Sequence, residues 1–212
     1  ASTGEAADFG DLNTARYGGR AISNNTRGII GGGYAGGNTN DTEFISMSST
    51  GNGADFGDLL SIRAGPGSAN NSVKGIICGG NTTGGAEVAT MDLIHFASFG
   101  QYVDFGDLTQ ARRAMAGMNS PTRGVFSAGS DPNLFNIIDY VDFATLGDAT
   151  DFGDATVANG GSGGASSSTR GITAGGNSGS YMTTIEHITI ASKGDAIAVS
   201  YTHLRAHETG RN

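Results

Sequence analysis

A four-residue motif, Asp-Phe-Gly-Asp, organises this sequence because it occurs four times at nearly constant spacing. Its copies begin at Asp8, Asp55, Asp104 and Asp151. Consecutive copies are therefore 47, 49 and 47 residues apart. A period of about 20–50 residues indicates one supersecondary unit that buries its apolar surface only against neighbouring copies. We expect a repeat domain over 1–198, with repeats at about 7–53, 54–102, 103–149 and 150–197.

Two further markers keep the same register. A basic residue followed by glycine occurs at Arg27, Lys74, Arg123 and Arg170. Another arginine recurs at Arg16, Arg63 and Arg112, with Asn159 in the fourth repeat. Because three markers share one register, the repetition is a property of the whole chain.

Each repeat contains four candidate β-strands. The third candidate alternates apolar and polar residues, which is typical of a half-buried strand, and the fourth carries the Asp-Phe-Gly-Asp motif. The second is a short apolar stretch after the basic residue, and the first is a short segment of small residues. Glycine accounts for 37 of 212 residues, which suits tight turns between short strands. The first strands are predicted near 18–24, 65–70, 113–119 and 160–167, and the third at 43–47, 91–96, 138–143 and 185–190.

This order of elements resembles the kelch repeat, which has an arginine before the first strand, two glycines after the second and an aromatic residue in the fourth. The resemblance implies an all-β, kelch-like β-propeller, with four blades of four antiparallel strands in this chain. Phenylalanine stands where kelch repeats usually carry tryptophan, which this chain lacks. We expect these side chains to be buried between neighbouring blades. They are Phe9, Phe56, Phe105 and Phe152.

The two ends of the chain raise separate expectations. Residues 199–212 break every periodic marker and are similar to a translated sequencing-library adapter, as in metagenomic sequences. Ala198 already stands where the repeat requires the first motif aspartate. We therefore expect 199–212 to be a non-native tail without function or effect on stability, although a native terminal strand is the alternative. Segment 7–12 is expected to pair with the third strand of the last repeat if the ring closes; otherwise the chain forms an open arc of a larger ring.

Composition argues against several classes of protein. A net charge of −8 disfavours nucleic-acid binding, which requires clustered basic residues. A single cysteine, Cys78, excludes an intrachain disulfide and a cysteine-based metal site. No apolar run approaches the ~20 residues that span a bilayer, so membrane insertion is not expected. We predict no cofactor and no metal.

The repeated charged residues are predicted to be structural. Two aspartates three residues apart could bind Ca²⁺ together with backbone carbonyls, but a turn needed in every blade also explains their fourfold recurrence. The aspartates that begin the motif are therefore expected to accept hydrogen bonds from turn amides or to form salt bridges with Arg27, Lys74, Arg123 and Arg170. An anion site lined by those four basic residues is the alternative.

The segments between the second and third strands differ from repeat to repeat. They lie at 34–41, 81–86, 130–136 and 177–182 and place aromatic residues among asparagine and serine. Variable loops on a rigid scaffold commonly carry binding sites, and this composition suits carbohydrate or protein contacts. Plain solvated turns are the alternative. The candidate binding residues are Tyr34, Asn38, Asn81, Asn133, Phe135 and Tyr181.

Two short segments of the repeat resemble kelch-like proteins of marine bacteriophages. They are Gly-Asn-Gly-Ala-Asp-Phe-Gly-Asp-Leu at 51–59 and Thr-Arg-Gly at 122–124 and 169–171. The resemblance implies a non-enzymatic virion structural or tail-fibre-like protein that binds a host-surface glycan or protein, or other virion proteins. A cellular kelch-type interaction scaffold is one alternative. An enzyme on a kelch propeller, such as a sialic-acid isomerase or a galactose-oxidase-like oxidase, is another. An oxidase needs a crosslinking cysteine near copper, whereas Cys78 occupies a repeated strand position.

Overall fold

The computed structural model describes residues 4–100 and 102–198, and every regular element in these ranges is a β-strand. Four sheets, each of four strands in chain order, form the four blades of a β-propeller. Blade 1 comprises β1 (Arg20–Ser23), β2 (Arg27–Gly31), β3 (Thr39–Ser46) and β4 (Ala54–Arg63). Blade 2 comprises β5 (Gly67–Asn70), β6 (Lys74–Cys78), β7 (Thr90–His95) and β8 (Tyr102–Asp107). Blade 3 comprises β9 (Ala116–Asn119), β10 (Arg123–Asp131), β11 (Asn133–Asp142) and β12 (Thr150–Asn159). Blade 4 comprises β13 (Gly163–Ser166), β14 (Arg170–Ala174), β15 (Ile185–Thr189) and β16 (Ile197–Ala198).

Neighbouring strands within every blade are antiparallel, which confirms the predicted all-β propeller. The repeat register is reproduced in the pairing: Gly28 lies opposite Ile45 in blade 1, and Gly75 lies opposite Ile94 in blade 2. First strands of consecutive blades contact one another, so β1, β5, β9 and β13 lie around the propeller axis.

The apolar cores lie between blades. Three buried clusters fill the spaces between blades 1 and 2, blades 2 and 3, and blades 3 and 4. Each cluster contains one motif phenylalanine, and Phe56, Phe105 and Phe152 are all buried, as predicted. Burial of an aromatic ring contributes apolar area and aromatic contacts, so these rings fix consecutive blades face to face. The prediction was wrong for Phe9, which is 39% exposed.

Segment 7–12 explains the exception. It forms no strand, and Ile197 and Ala198 of β16 are the residues that pair with β15, so 7–12 does not make the pairing expected for a closed ring. The Phe9 carbonyl instead accepts a hydrogen bond from the Gly51 amide at 2.8 Å. The Phe105 carbonyl accepts the equivalent bond from the Gly147 amide of blade 3 at 2.7 Å. Segment 7–12 therefore lies where the outer strand of a preceding blade would lie, and among the described residues no blade packs over Phe9 from that side. The predicted tail at 199–212 lies outside the described residues.

A buried ion pair links each recurring arginine to an acid on the third strand of the blade that follows it. Arg63 binds Asp92 at 3.0 Å and Arg112 binds Asp139 at 2.8 Å, and all four side chains are inaccessible to solvent. The second oxygen of Asp92 accepts the Leu60 amide at 2.8 Å. Burial raises the pKa of Asp92, while the Arg63 charge opposes that rise. These pairs join consecutive blades at the inner end of the sheets.

The first and last copies of this ion pair differ from the two in the middle. Arg16 pairs with Glu43 in blade 1. In blade 4 the acid is Glu186, which is buried and accepts the Thr156 amide at 3.0 Å, but the arginine position holds Asn159. The side-chain oxygen Oδ1 of Asn159 is buried and accepts no hydrogen bond from the described residues. The junction between blades 3 and 4 therefore lacks the charge pairing that the other junctions have.

In β4 and β8 the first motif aspartate lies at a β-bulge, where the register of pairing with the third strand shifts. The carboxylate of Asp55 accepts the Gly57 amide at 2.8 Å, and that of Asp104 accepts the Gly106 amide at 3.0 Å. The glycines have φ of 113° and 133°, conformations that disfavour a side chain. Asp8 accepts the Gly10 amide in the same way at 3.1 Å. Three copies of the motif thus share one hydrogen bond from the motif glycine to the first aspartate.

The basic residues at the start of the second strands bind backbone carbonyls of the next blade. Lys74 donates to the Phe143 carbonyl at 2.7 Å, and Arg123 donates to the Ile190 carbonyl at 3.0 Å. Arg27 donates to the Phe96 carbonyl. Among the described residues none of these cations, nor Arg170, pairs with a motif aspartate, so the predicted salt bridges were wrong. The long basic side chains thus cross the interface between blades, and Arg123 also pairs with Asp142 of its own sheet at 3.2 Å.

Candidate functional site

All four blades contribute to a pocket of about 640 Å³ at one end of the propeller axis, which we call the axial pocket. The residues that line it follow directly on the recurring arginine position or follow the second strand. Side chains from different blades thus meet here although they are far apart in sequence. They include Tyr17, Tyr34, Asn38, Asn81, Arg113 and Asn177.

The backbone fixes two lining positions in each blade. The residue after the recurring arginine position exchanges a pair of hydrogen bonds with the residue 17 positions later. Tyr17 and Tyr34 form these bonds at 3.2 and 2.8 Å, and Arg113 and Ser130 at 3.1 and 3.0 Å. Because only main-chain atoms hold each pair, the side chains can differ between blades without changing the fold. This is how a symmetric scaffold carries an asymmetric site.

Residues in left-handed conformation connect the blades around the pocket. Gly18, Gly65, Ala114 and Gly161 line it with φ of 69°, 64°, 57° and 75°. The amide of each of the last three donates to the carbonyl of the one before at 2.8 Å. Ala114 adopts this conformation with a Cβ atom, which costs about 1 kcal/mol or more. The continuous hydrogen-bonded chain holds the pocket backbone in place.

Aromatic and amide groups lie together on one side of the axial pocket. The rings of Tyr17 and Tyr34 are 5.4 Å apart between centroids, with an angle of 41° between their planes. Both rings are exposed to solvent. Asn38 lies beside them and donates to the Asn81 carbonyl at 2.6 Å. Exposed amphipathic rings next to fixed amides provide an apolar contact surface together with directional polar groups.

A charged cluster lies on the other side of the pocket. Arg113 forms an ion pair with Glu87 at 3.4 Å, and the Glu87 side chain is nearly buried. Burial raises the pKa of Glu87, a hydrogen bond with the Asp131 carboxyl raises it further, and the Arg113 charge opposes both. Of these three residues Arg113 lines the pocket, and the two acids lie next to it.

The structure brings only part of the predicted binding set together. Tyr34, Asn38 and Asn81 line the axial pocket, whereas Asn133, Phe135 and Tyr181 do not. The predicted loop at 130–136 is mostly a hairpin, in which β10 and β11 are separated by Pro132 alone. Phe135 accordingly pairs within the sheet, opposite Gly129. Tyr181 is 93% exposed.

Two lining residues, Tyr17 and Arg113, were missed from the sequence. Each directly follows a recurring arginine, Arg16 or Arg112. Their non-repeating character within an otherwise repeating stretch was the available signal. Neither residue was predicted, because Tyr17 directly precedes the predicted first strand at 18–24 and Arg113 begins the one at 113–119.

The opposite end of the axis holds a smaller depression of about 380 Å³. Four turns line it, at 23–25, 70–72, 119–121 and 166–168, and all are rich in asparagine and serine. Their polar atoms serve the turns themselves: the Asn71 side chain accepts the Val73 and Lys74 amides at 2.9 and 2.8 Å. Turn chemistry therefore accounts for this polar surface.

Within 4–100 and 102–198, no three histidine, cysteine, aspartate or glutamate side chains are grouped so that they could hold a metal ion. The same part of the chain contains no helix that is long and apolar enough to cross a membrane.

Comparison with known proteins identifies the fold alone. No family model and no curated protein matches this sequence. Among solved structures, "Structure of YjhT" superposes with a TM-score of 0.71 over 86% of this chain and 68% of that chain, at 10% identity. The chain is a β-propeller. Since 172 solved chains match, and one fold serves many functions, the function has to be argued from the axial pocket.

Proposed function

We propose that the axial pocket binds a host-surface glycan or protein, and that the chain is a non-enzymatic structural or tail-fibre-like protein of a phage virion. The propeller fold is consistent with a binding scaffold, since it holds variable side chains on a fixed backbone. The virion assignment rests on the resemblance of the repeat at 51–59 and 122–124 to phage kelch-like proteins.

The observation that carries the binding proposal is the exposed tyrosine pair beside the pocket amides. Tyr17 and Tyr34 occur in blade 1 only; the equivalent pairs are Ala64 with Asn81, Arg113 with Ser130, and Gly160 with Asn177. Structural demands recur in every blade, whereas a ligand needs its contacts once. The tyrosine pair is exposed and occurs once, which favours a role in recognition over a role in folding.

A carbohydrate suits this lining. A sugar ring has an apolar C–H face that packs on an aromatic ring and hydroxyl groups that bond to amides. Tyr34, Asn38 and Asn81 supply both kinds of contact, and Arg113 adds a donor on the opposite side.

The proposal is tested by glycan-array and host-cell binding of the wild type and the variant Tyr17→Ala/Tyr34→Ala. Loss of binding in this variant is expected, since both exposed rings of the pocket are removed. Tyr181→Ala is the matched control, because Tyr181 is also an exposed tyrosine but lies outside the pocket lining. Equal binding by the tyrosine-pair variant and the wild type would remove the axial pocket from the proposal.

The virion assignment has its own test. Recovery of the genes that flank this one should place it beside baseplate, tail or capsid genes. Flanking genes of cellular metabolism or signalling would instead favour a cellular interaction scaffold, whatever the outcome of the binding assay.

A further inference from the structure

The loop between the second and third strands is longer in blade 2 than in its neighbours, and it lies at the axial pocket. A backbone bridge closes this loop over 34–38 in blade 1 and over 177–181 in blade 4, but over 81–87 in blade 2. The bridged loop of blade 2 therefore has seven residues, against five in blades 1 and 4. Thr82 and Thr83 of the longer loop line the pocket. The departure of the repeat from its 47-residue period is thus located at the proposed binding site.

The longer loop ends at Glu87, which contacts Arg113 of the next blade. Glu87 Oε1 lies 3.4 Å from Arg113 Nε, and only 9% of the Glu87 side chain is exposed. The equivalent positions in the other blades hold Asn38, Leu134 and Tyr181, so no other blade has an acid here. The pair of Glu87 and Arg113 is therefore not one of the repeated contacts that hold the blades together.

The position of Glu87 leaves the end of the Arg113 side chain available to a ligand. Glu87 lies against Nε, and the two terminal amino groups of Arg113 form no hydrogen bond with any described residue. The Arg113 side chain is 46% exposed and lines the pocket. A guanidinium group presents its donors in a planar fork that binds two oxygens side by side. Two neighbouring hydroxyl groups of a sugar ring offer such a pair of oxygens.

The charges around Arg113 disfavour an acidic ligand. Among the described residues that line the axial pocket, Arg113 alone carries a charge. Glu87 and Asp131 lie next to it, so the three residues together have no net positive charge. A carboxylate or sulfate group bound to Arg113 would lie close to both acids, in a chain whose net charge is −8. A neutral ligand uses the same donors without this repulsion.

We propose that the axial pocket is selective for neutral glycans, and that Glu87 is the positioning residue that directs Arg113 toward two neighbouring hydroxyl groups and disfavours acidic sugars. The exposed rings of Tyr17 and Tyr34 contact the apolar face of the same glycan from the other side. This inference rests on the proposed glycan binding at the axial pocket and names the class of glycan.

The proposal is tested with the full chain on an array that carries neutral glycans beside their carboxylated and sulfated counterparts. The wild type should bind the neutral members more tightly. Glu87→Gln keeps the shape of the side chain but removes one negative charge, so it should raise binding of acidic relative to neutral glycans by about tenfold. Glu87→Asp retains the charge and should leave this ratio near that of the wild type.

Asp142→Asn is the matched control for Glu87→Gln. It removes a carboxylate from the ion pair of Arg123 with Asp142, outside the pocket lining, and changes the net charge of the chain by the same amount. It should leave the ratio of acidic to neutral binding unchanged. Arg113→Gln should weaken binding of neutral glycans by about tenfold or more, because it removes the charged donors.

The outcomes separate this inference from the proposed function. A wild type that binds no glycan overturns both, whereas one that prefers acidic glycans overturns only the inference. An unchanged ratio in Glu87→Gln overturns it, and so does an equal loss of neutral and acidic binding, which would assign Glu87 a purely structural role. If Glu87→Gln unfolds, as judged by circular dichroism, the wild-type preference and Arg113→Gln decide: unchanged binding of neutral glycans by Arg113→Gln also overturns the inference.

Discussion

Replacement of Arg112 by methionine should cost far more stability than the same change at Arg113. The Arg112 guanidinium is inaccessible to solvent and donates to the Asp139 carboxylate at 2.8 Å and the Ala128 carbonyl at 2.9 Å. Arg113 is the next residue, is 46% exposed in its side chain, and pairs with Glu87 at 3.4 Å. The pair of variants therefore compares a buried and an exposed arginine at adjacent positions.

The magnitude follows from what each change leaves behind. Arg112→Met leaves the Asp139 carboxylate buried without its cation, which costs about 3–5 kcal/mol. For a domain of this size that loss lowers the melting temperature by about 6–20 °C. Arg113→Met removes a partly exposed ion pair and should cost about 1 kcal/mol or less.

Urea unfolding followed by circular dichroism measures both variants. Adding Asp139→Leu to Arg112→Met removes the buried charge as well and should recover part of the loss, which gives the coupling between the two side chains. Equal stability of Arg112→Met and Arg113→Met would refute the view that these ion pairs join the blades. Failure of the double variant to recover any stability would show that the backbone carbonyls, and not the carboxylate, are the important partners.

Three further predictions concern the same scaffold. Phe105→Ala should lower the free energy of unfolding in urea by about 3–5 kcal/mol. Phe9→Ala should lower it much less, because the Phe9 side chain is partly exposed. Equal losses of stability would contradict the assignment of the core to the junctions between blades. Asn159→Arg should raise the free energy of unfolding by about 1–3 kcal/mol, because it gives the buried Glu186 of blade 4 a cation. Asn159→Lys should raise it less, because lysine lacks the planar guanidinium group that binds both carboxylate oxygens. Burial raises the pKa of the Cys78 thiol to about 12, so the folded state retains this proton above the pH at which the unfolded chain loses it. The free energy of unfolding should therefore fall as the pH rises from about 9 toward 12, by up to about 1.4 kcal/mol per pH unit. Urea titrations at several pH values test this, and Cys78→Ala should flatten the dependence; an unchanged slope would assign it to other groups, Tyr102 first.

Much of the fold could be predicted from the sequence because each blade repeats the same local requirements. The motif glycines of the outer strands, the alternating third strands and the buried phenylalanines all recur in one register, so four copies of a weak pattern together predict the fold. Segment 7–12 shows what the repeat leaves open. The repeat shows that it is equivalent to the strand segment at 54–59, but equivalence does not specify which blade lies next to it in space.

The partners of the charged residues were harder to predict. Lys74 and Arg123 were expected to bind motif aspartates because both recur in register. In fact the acids that recur as ion-pair partners lie on the third strands, as Asp92 and Asp139 do, and their partners are Arg63 and Arg112. Every repeat supplies several charges in register, and only the packing of one blade on the next decides which of them meet.

The axial pocket was only partly predictable because its lining residues come from four blades and from positions with different neighbours in sequence. Tyr34 could be found, since it lies in a variable loop, but its neighbour Tyr17 precedes β1 in a segment that otherwise repeats. What links them is a pair of main-chain hydrogen bonds that every blade has. Since the backbone supplies the same positions to tyrosine, alanine, arginine and glycine, the fold places no demand on these side chains. The tyrosine in blade 1 and the arginine in blade 3 are therefore the side chains through which the proposed ligand would be recognised.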